Sequence, residues 1–363
     1  WGGVVGCRGR AAAYGPEGPR GITMRSDSDR EPNSLPMPHR RVSLRVVLSV
    51  VAAIALVAGA GYLALRMKPT AKYAIRVAYL PIVVSSPFFV AQEQGYFREE
   101  GLVIEAQKFA SSNQMLDALL TDKTDVVMSL AQSLAATAEA KQAGALQVFL
   151  ANAQNSRQYL SSLIVRVDSD IRNPANLKGK RIGCFPGQTA RVYLEITLEK
   201  QGLNPKTDVN IQELDPGLHL QALESRNIDA LLTYEPTTTI ALERGIARPL
   251  ILGAFEKSVI DPWVGGVFVF RSGFATEYPD SARAFVRAME KSVSYIRANS
   301  ETYRLLLPKY TPIDAAIAQK TTNIPYWTLS EMDRAHVQKQ TDMLFDRGIL
   351  PRRVDTTAMY YQP

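Results

Sequence analysis

Short groups of serine, glutamine and glycine stand where predicted strands lead into helices, and such groups could hold a small polar molecule. Ser85 and Ser86 follow the first predicted strand and precede Pro87, which is placed to begin a helix. The first backbone N–H groups of a helix lack internal partners, so nearby hydroxyls could help them to hold an oxyanion. Alternatively, Ser86 serves only as the N-cap of its own helix.

Two further groups occupy equivalent places later in the chain. Ser129 and Gln132 follow a short apolar strand and could direct a hydroxyl and an amide toward a ligand. Gly187, Gln188 and Thr189 begin another helix, where glycine allows close approach of the backbone and the helix dipole favours a negative group. We expect these last three residues to contact the ligand.

Aromatic and acidic side chains complete the candidate site. Tyr234 follows a strand and could stack on a ligand, whereas Glu235 could bind an amine or form an ion pair between lobes. Trp263 stands beside a predicted crossing and is expected to wall the site. Arg191, in the helix that Thr189 begins, is either a solvated charge or an anion contact. Ligands of open α/β sheets bind at the carboxyl ends of strands, so one cleft could collect all these residues.

Residues for catalysis or metal binding are scarce. The three histidines are dispersed and the two cysteines stand far apart, which predicts neither a zinc site nor a disulfide framework. His219 and His336 are expected to be exposed or half-buried, and Cys184 to be a small apolar core residue. The loops lack G-x-G-x-x-G, G-K-S/T and G-x-S-x-G patterns, which argues against a nucleotide cofactor and a serine hydrolase. We therefore expect a protein without catalytic residues, metal or cofactor.

The basic charge of the chain lies in its N-terminal part. The 363 residues carry a net charge of +7, and residues 1–71 contribute ten Lys/Arg against four Asp/Glu. Residues 72–363 carry thirty-two basic and thirty-one acidic side chains. A phosphate-binding footprint is therefore not expected, and no nucleic-acid partner is predicted.

An apolar run over residues 46–65, VVLSVVAAIALVAGAGYLAL, follows a cluster of arginines. A helix of this length spans roughly the 30 Å hydrocarbon core of a bilayer, and an A-x-A motif ends at Ala60. Residues 41–68 are therefore predicted to be a signal peptide or a retained membrane anchor, and either one implies an extracytoplasmic, periplasmic location. Residues 1–40 are interpreted as a disordered or mis-assigned extension.

Strand and helix patterns alternate through the rest of the chain and predict an α/β fold with two lobes. Residues 72–168 and 266–363 are assigned to lobe 1, and residues 169–265 to lobe 2. Each lobe is expected to be a mostly parallel sheet flanked by helices. The turn-rich segment 173–179 is the expected first crossing between lobes, and Gly265-Gly266 marks the expected return crossing.

Four segments carry a resemblance to a known family. They are LPIVVSSPFFVAQEQGYFREEGLVIE, DVVMSLAQSL, LKGKRIGCFPGQTARVYLEITLEKQGL and NIDALLTYEPTTTIALERG. In order and spacing they resemble the nitrate/taurine/alkanesulfonate-type substrate-binding proteins of ABC importers, which share a domain with thiamine-pyrimidine synthases. The resemblance implies a type II-like periplasmic-binding-protein clamshell with two hinge crossings, which closes on a small polar or anionic solute.

The resemblance also implies a monomeric binding protein whose partners are the permease subunits of an importer in the inner membrane. Two alternatives stay open. A retained anchor would suit a membrane-tethered lobe that senses a ligand and reports it to a membrane partner. An enzyme similar to thiamine-pyrimidine synthase is less compatible with the sequence, because that branch carries a cysteine-rich iron-binding motif and only Cys184 lies in the folded part.

Overall fold

The computed structural model describes residues 73–363 together with positions 51, 53 and 55. The predicted extension 1–40 and nearly all of the predicted export segment 41–68 lie outside these residues. The long described stretch belongs to one compact unit. No helix within the described residues combines the length and apolarity that a bilayer crossing requires.

Strands and helices alternate along this unit. The strands are β1 (Ala74–Tyr79), β2 (Val103–Lys108), β3 (Val126–Ala131), β4 (Leu146–Gln154), β5 (Ser161–Arg166), β6 (Arg181–Cys184), β7 (Asn210–Glu213), β8 (Ala230–Tyr234), β9 (Ala247–Leu252), β10 (Trp263–Arg271) and β11 (Tyr326–Thr328). The α-helices of this unit are α1 (Ser86–Glu93), α2 (Tyr96–Glu99), α3 (Ser112–Leu120), α4 (Gln132–Lys141), α5 (Gln188–Lys200), α6 (His219–Glu224), α7 (Thr237–Glu243), α8 (Ala254–Ser258), α9 (Phe274–Glu277), α10 (Pro279–Ala298), α11 (Leu307–Tyr310), α12 (Ala315–Lys320) and α13 (Arg334–Asp346).

Lobe 1 is built on a six-stranded sheet in the order β11-β4-β10-β3-β1-β2. β1 pairs in parallel with β2 and β3, whereas β10 runs antiparallel to both β3 and β4. Helix α10 turns Phe285, Met289 and Val293 into the core of this lobe. Their spacing of four residues places them on one face of the helix, which explains why this amphipathic segment packs on the sheet.

Lobe 2 is built on a five-stranded sheet in the order β7-β6-β8-β5-β9. β6 pairs in parallel with β7 and β8, and β5 runs antiparallel to β8 and β9. Both sheets are therefore mixed and not mostly parallel as predicted. β5 and β10 enter their sheets at the edge where the parallel strands end, so each must run in the opposite direction.

Two crossings connect the lobes, at residues 155–160 and 259–262. The first lies earlier than the predicted segment 173–179, because β5 pairs within the second sheet. The turn that opens this crossing uses neither proline nor glycine, the signals on which the prediction relied. Instead, the Asn155 side chain accepts hydrogen bonds from the backbone N–H groups of Arg157 and Gln158, both at 2.9 Å.

The return crossing is also displaced from its predicted position. Gly265-Gly266 lies inside β10, where Gly266 pairs with both β3 and β4, and Trp263 is the first residue of that strand. Lobe 1 therefore comprises residues 73–154 and 263–363, and lobe 2 comprises residues 161–258.

The same arginine–aspartate contact holds the amino ends of the parallel strands in both lobes. The Asp125 carboxylate accepts hydrogen bonds from the backbone N–H (2.9 Å) and the guanidinium (2.7 Å) of Arg76. Asp229 accepts the equivalent bonds from Arg181, at 2.8 and 2.9 Å. Burial tends to raise the pKa of Asp125, but the hydrogen bonds from the arginine outweigh it and the pKa is lowered. The repetition gives a structural basis for the loose similarity between the lobes.

Candidate functional site

The candidate site lies between the two sheets, at the edges where the parallel strands of each sheet end. β10 begins at the edge where β3 ends, since Gly266 pairs with Ala131, and β4 ends at the same edge. In lobe 2, β5 begins where β8 ends, since Ser161 pairs with Tyr234. Both crossings join these two edges, so the cleft between them is the place where open α/β sheets bind ligands.

A chain of amide and hydroxyl groups lies at the lobe 1 edge. Asn152 Nδ2 donates to Ser129 Oγ at 2.7 Å, and Gln154 Nε2 donates to Asn152 Oδ1 at 2.8 Å. Gln154 Oε1 accepts from the backbone N–H of Gly265 at 3.2 Å. All three side chains are buried. Ser129 accepts in this chain, which leaves its own O–H proton for a further partner.

The backbone is strained and closely packed at the same point. Ser129 has a φ of +58°, a value that residues with a side chain rarely adopt. A Cβ on Gly265 would stand 2.9 Å from Gln154 Oε1 and 2.9 Å from the Trp263 ring. On Gly266 it would stand 2.6 Å from Ser129 Oγ. The two glycines therefore allow these groups to converge on β10.

Gln132 ties the last helix to this edge. Its Nε2 donates to Thr341 Oγ1 at 2.8 Å, and its Oε1 accepts from Gln340 at 3.3 Å. Gln340 in turn accepts from the backbone N–H of Val264 and donates to its carbonyl, both at 2.9 Å. A ligand that used Gln132 would have to compete with these internal bonds.

The two serines before α1 differ in their partners. Ser85 is the N-cap residue, yet its Oγ is fully buried and has no hydrogen-bond partner within the described residues. Ser86 donates its Oγ proton to the carbonyl of Val83 and does not hold the predicted N-cap position. A buried hydroxyl without a partner costs about 1–3 kcal/mol, so Ser85 is the more available of the two for a ligand.

Trp263 is surrounded by aromatic rings of lobe 2. The Tyr193 ring stands edge-on to it with 5.9 Å between centroids, and the Tyr234 ring lies 6.2 Å away. Phe185 stacks on Tyr234 at 4.2 Å. Burial raises the pKa of Tyr193 to about 12 and also raises the pKa of Tyr234, so both hydroxyls stay protonated at neutral pH. We call Phe185, Tyr193, Tyr234 and Trp263 the aromatic wall.

Two buried carboxyl groups of lobe 2 adjoin the aromatic wall. Glu235 follows Tyr234 directly and accepts a hydrogen bond from Thr239 Oγ1 at 2.7 Å. Glu256 accepts from Ser161 Oγ at 2.6 Å, next to the first crossing. Burial raises the pKa of both carboxyls, and their hydrogen bonds only partly oppose it. Within the described residues Glu235 forms no ion pair, so the contact between lobes that its charge could make is not formed.

The loop Gly187–Thr189 is more exposed than the groups around Trp263. Gly187 and Gln188 are exposed and Thr189 is half-buried. The Gly187 N–H donates to Glu213 Oε2 at 2.9 Å, and Gln188 Nε2 reaches the carbonyl of Gly348 in lobe 1 at 3.5 Å. The N–H group that was predicted to receive an anion is therefore bound to an internal carboxylate.

Sequence reasoning overlooked Asn152, Gln154, Tyr193 and Glu213. The alternation in Ala151-Asn-Ala-Gln154 places both amides on one face at the end of a strand, which is the signal that selected Ser129. Glu213 also ends a strand and was accessible to the same rule. His219, expected to be exposed or half-buried, is fully buried, and its ring nitrogens are satisfied by Thr233 Oγ1 and the Leu214 carbonyl.

A concave region of about 480 Å³ lies between α10 and β11 and extends to Gln158 in the first crossing. The predicted site residues do not line it. The Arg297 guanidinium lines this region. Its Nη1 donates to Glu331 Oε1 and its Nη2 donates to the carbonyl of Tyr326, each at 2.7 Å. The bond to Tyr326 satisfies a carbonyl on the free side of the edge strand β11, which gives Arg297 a structural role.

Two mixed sheets that face each other across paired crossings define the periplasmic-binding-protein fold. Comparison with solved structures confirms that fold. The alkanesulfonate-binding protein SsuA from Xanthomonas axonopodis pv. citri, bound to MOPS, superimposes with a TM-score of 0.66 at 22% identity, over 81% of this chain and 100% of the other.

The chain belongs to the NMT1-like family, whose sequence model matches residues 68–306. A Bacillus subtilis protein that is named as a binding protein, YtlA, is 24% identical over 59% of this chain and 63% of its own length. A second Bacillus subtilis protein, named as an aliphatic sulfonates-binding protein, is 24% identical over 74% of this chain and 81% of its own length. The resemblance inferred from the sequence is thereby confirmed.

Proposed function

We propose that this protein is the solute-binding component of an ABC importer, which encloses a small polar organic molecule between its lobes. The observation that carries the proposal is the convergence of buried groups from both lobes at Trp263. Lobe 1 brings the amide chain of Asn152 and Gln154, and lobe 2 brings Tyr193 and Tyr234. The names of the relatives support a binding role.

The proposed ligand contacts are the residues at the facing strand ends. Hydroxyls and amides of lobe 1 would fix the polar edges of the ligand, and the aromatic wall would pack on its apolar parts. The full proposed set is Ser85, Ser86, Ser129, Gln132, Gly187, Gln188, Thr189, Tyr234, Glu235 and Trp263, and we add Asn152, Gln154 and Tyr193 because they lie next to these residues.

Closure supplies the mechanism. A ligand that touches both lobes binds the closed state better than the open one, and it shifts the population by that difference in affinity. Hinge motion would occur at the two crossings, residues 155–160 and 259–262. No chemical step is proposed, and the ligand is expected to be released unchanged.

Export and delivery complete the proposal. The apolar run 46–65 would direct the protein across the cytoplasmic membrane or anchor it there, with the binding unit on the outer side. The closed monomer would then present its ligand to permease subunits in that membrane.

The test combines X-ray scattering and titration calorimetry on the full-length protein with a panel of sulfonates, nitrate, carboxylates and heterocycles. At least one solute is expected to bind and to reduce the radius of gyration, and mass spectrometry should recover it unaltered. Gly265→Ala places a methyl group 2.9 Å from Gln154 Oε1 and should weaken binding. Gly217→Ala, next to Asp215 on the surface, is the matched control. Absence of compaction with every solute would overturn the proposal.

A further inference from the structure

Glu213 occupies the position at which helix α5 would otherwise receive an anion. It ends β7, the strand beside β6, and its Oε2 accepts the Gly187 N–H at 2.9 Å. α5 has 13 residues, so the partial positive charge of a full helix dipole lies at its N-terminus. The Glu213 carboxylate satisfies one N–H group and offsets that charge. An anionic ligand at this N-terminus would be repelled by the Glu213 carboxylate.

The basic side chains next to this helix are also engaged by glutamates. Arg191, in the first turn of α5, binds Glu195 Oε1 at 3.2 Å and lies 3.9 Å from Glu213 Oε1. Arg347, which follows α13 in lobe 1, binds Glu199 at 2.9 Å. A ligand anion would have to break one of these ion pairs to gain a cation of its own.

Uncharged groups are more available in the cleft. Ser85 Oγ is buried without a partner within the described residues, and Ser129 retains a proton to donate. The carbonyl oxygens of Asn152 and Gln154 lie beside the Trp263 ring, within about 3 Å of the space that a Gly265 side chain would fill. Each accepts one internal hydrogen bond and keeps a second lone pair for a ligand. Hydroxyls and amide oxygens bind the edges of a planar polar molecule, and aromatic rings pack on its faces.

We infer that Glu213 is a specificity-determining residue that excludes small oxyanions and leaves the cleft to uncharged, planar solutes such as heterocyclic amides. This depends on the ligand-binding function proposed above. Glu213→Gln removes the negative charge beside Arg191 and the N-terminus of α5, although its amide oxygen can still accept the Gly187 N–H, and Glu213→Ala also frees that N–H group. The N-terminus of α5 then becomes a place where an oxyanion can bind.

The test compares full-length wild-type protein with Glu213→Gln and the matched control Glu195→Gln. The control removes the charge of the other partner of Arg191 but leaves the Gly187 N–H bound to the Glu213 carboxylate. Titration calorimetry at low salt uses methanesulfonate and nitrate as anionic probes, and uracil and nicotinamide as uncharged probes. Wild type should bind an uncharged probe more tightly than either anion. Glu213→Gln should gain about tenfold in methanesulfonate affinity, equivalent to about 1.4 kcal/mol, and Glu195→Gln should gain less than about twofold.

Each other result contradicts the inference. If wild type binds methanesulfonate or nitrate best and Glu213→Gln gives no gain, the inference fails while the solute-binding function stands. If Glu213→Gln and a second variant, Glu213→Ala, both fold with wild-type melting temperatures and gain no anion affinity, the inference fails whatever the uncharged probes do. Failure of the solute-binding function would be seen in a different measurement, X-ray scattering, if none of the sulfonates, nitrate, carboxylates and heterocycles made the protein more compact.

Discussion

The Tyr193 ring of lobe 2 stands edge-on to the Trp263 ring of lobe 1, with 5.9 Å between their centroids and 89° between their planes. Tyr193 lies on α5, and Trp263 is the first residue after the return crossing. Both rings are buried, so separation of the lobes would bring water to Trp263. The pair therefore reports directly on whether the cleft is closed.

Trp263 is expected to supply the ligand-dependent change in tryptophan fluorescence. Replacing it with phenylalanine keeps an apolar ring next to Tyr193 but removes the fluorophore, so the change on ligand binding should largely disappear. Trp327→Phe is the control, because Trp327 lies on the edge strand β11, away from the aromatic wall. A full ligand response in Trp263→Phe would show that closure does not alter this contact.

The ion pair between Arg347 and Glu199 is expected to favour the closed state. It joins the end of α13 to α5 through two hydrogen bonds, of 3.1 and 2.9 Å. Both side chains are partly exposed, so the pair contributes at most about 1 kcal/mol, and salt weakens it.

Arg347→Ala should therefore weaken ligand affinity by up to about fivefold, and should increase the radius of gyration of the ligand-free protein at low salt. Arg353→Ala is the control, because its ion pairs stay within lobe 1. If the Arg347 and Arg353 variants behave alike in scattering and calorimetry, the pair does not contribute to closure.

The fold was predictable to the extent that it depends on local signals. Periodicity and proline placement located β1 and α1 to within one residue, because Pro87 can only sit in the first turn of a helix. The predicted position of the first crossing was wrong, because the side chain of Asn155 forms the turn and the segment contains neither glycine nor proline. Because the position of that crossing determines the direction of β5, the antiparallel pairing of β5 with β8 was not predicted either.

The site was predictable only in part, for a related reason. Ser129 was found because it ends a short apolar strand, but its partner Asn152 comes from β4 and meets it across the intervening strand β10. Gly187 was predicted to receive an anion. That Glu213 fills this place depends on the pairing of β6 with β7, which a single sequence does not encode locally.

The buried Asp125 is expected to be essential for the stability of lobe 1. Its carboxylate accepts from Arg76 at 2.7 Å and from Arg271 at 3.0 Å, and it is fully buried. Asp125→Asn removes the buried charge that Arg76 and Arg271 share and leaves Arg271 with the carboxylate of Glu277. Breaking a buried pair costs about 3–5 kcal/mol. Asp229→Asn is the matched control: its side chain is 25% exposed, so the loss should be smaller. Equal losses in urea denaturation would show that burial does not set the difference.

Glu235 is expected to make stability depend on pH. Burial raises its pKa in the folded state above the ordinary 4.5, so the folded protein binds this proton more tightly than the unfolded chain does. The resulting stabilisation is fully present below about pH 4.5 and is lost as the pH rises through the folded-state pKa. As the pH rises from about 4.5 through the folded-state pKa, the melting temperature should therefore fall less in Glu235→Gln than in wild type. An unchanged profile would contradict the assignment.

Glu331 is a control for Glu235, because its pKa is shifted in the opposite direction. The hydrogen bond from Arg297 lowers its pKa to about 2, so its stabilisation is present above about pH 4.5 and is lost as the pH falls toward 2. Glu331→Gln should therefore be less stable than wild type at neutral pH and should match it near pH 2. The two variants together separate a specific effect of each carboxyl from a general effect of charge.

Ser129 combines a strained backbone with a hydroxyl at the centre of the candidate site, and two substitutions separate these properties. Ser129→Ala keeps the φ of +58° with a Cβ, whereas Ser129→Gly relieves the strain. The relief is worth about 1–2 kcal/mol, and the greater freedom of glycine in the unfolded chain offsets about 0.4–1 kcal/mol of it. The glycine variant should therefore be the more stable in urea denaturation by about 1 kcal/mol.

Ligand affinity should follow the hydroxyl and not the strain. Both Ser129 variants lose the group that accepts from Asn152 and that can donate to a ligand, so both should lose about tenfold or more in affinity, equivalent to about 1.4 kcal/mol. Ser133→Ala, four residues later in the first turn of α4, is the control. If Ser129→Ala binds like wild type while Ser129→Gly does not, the backbone conformation, and not the hydroxyl, is what the ligand requires.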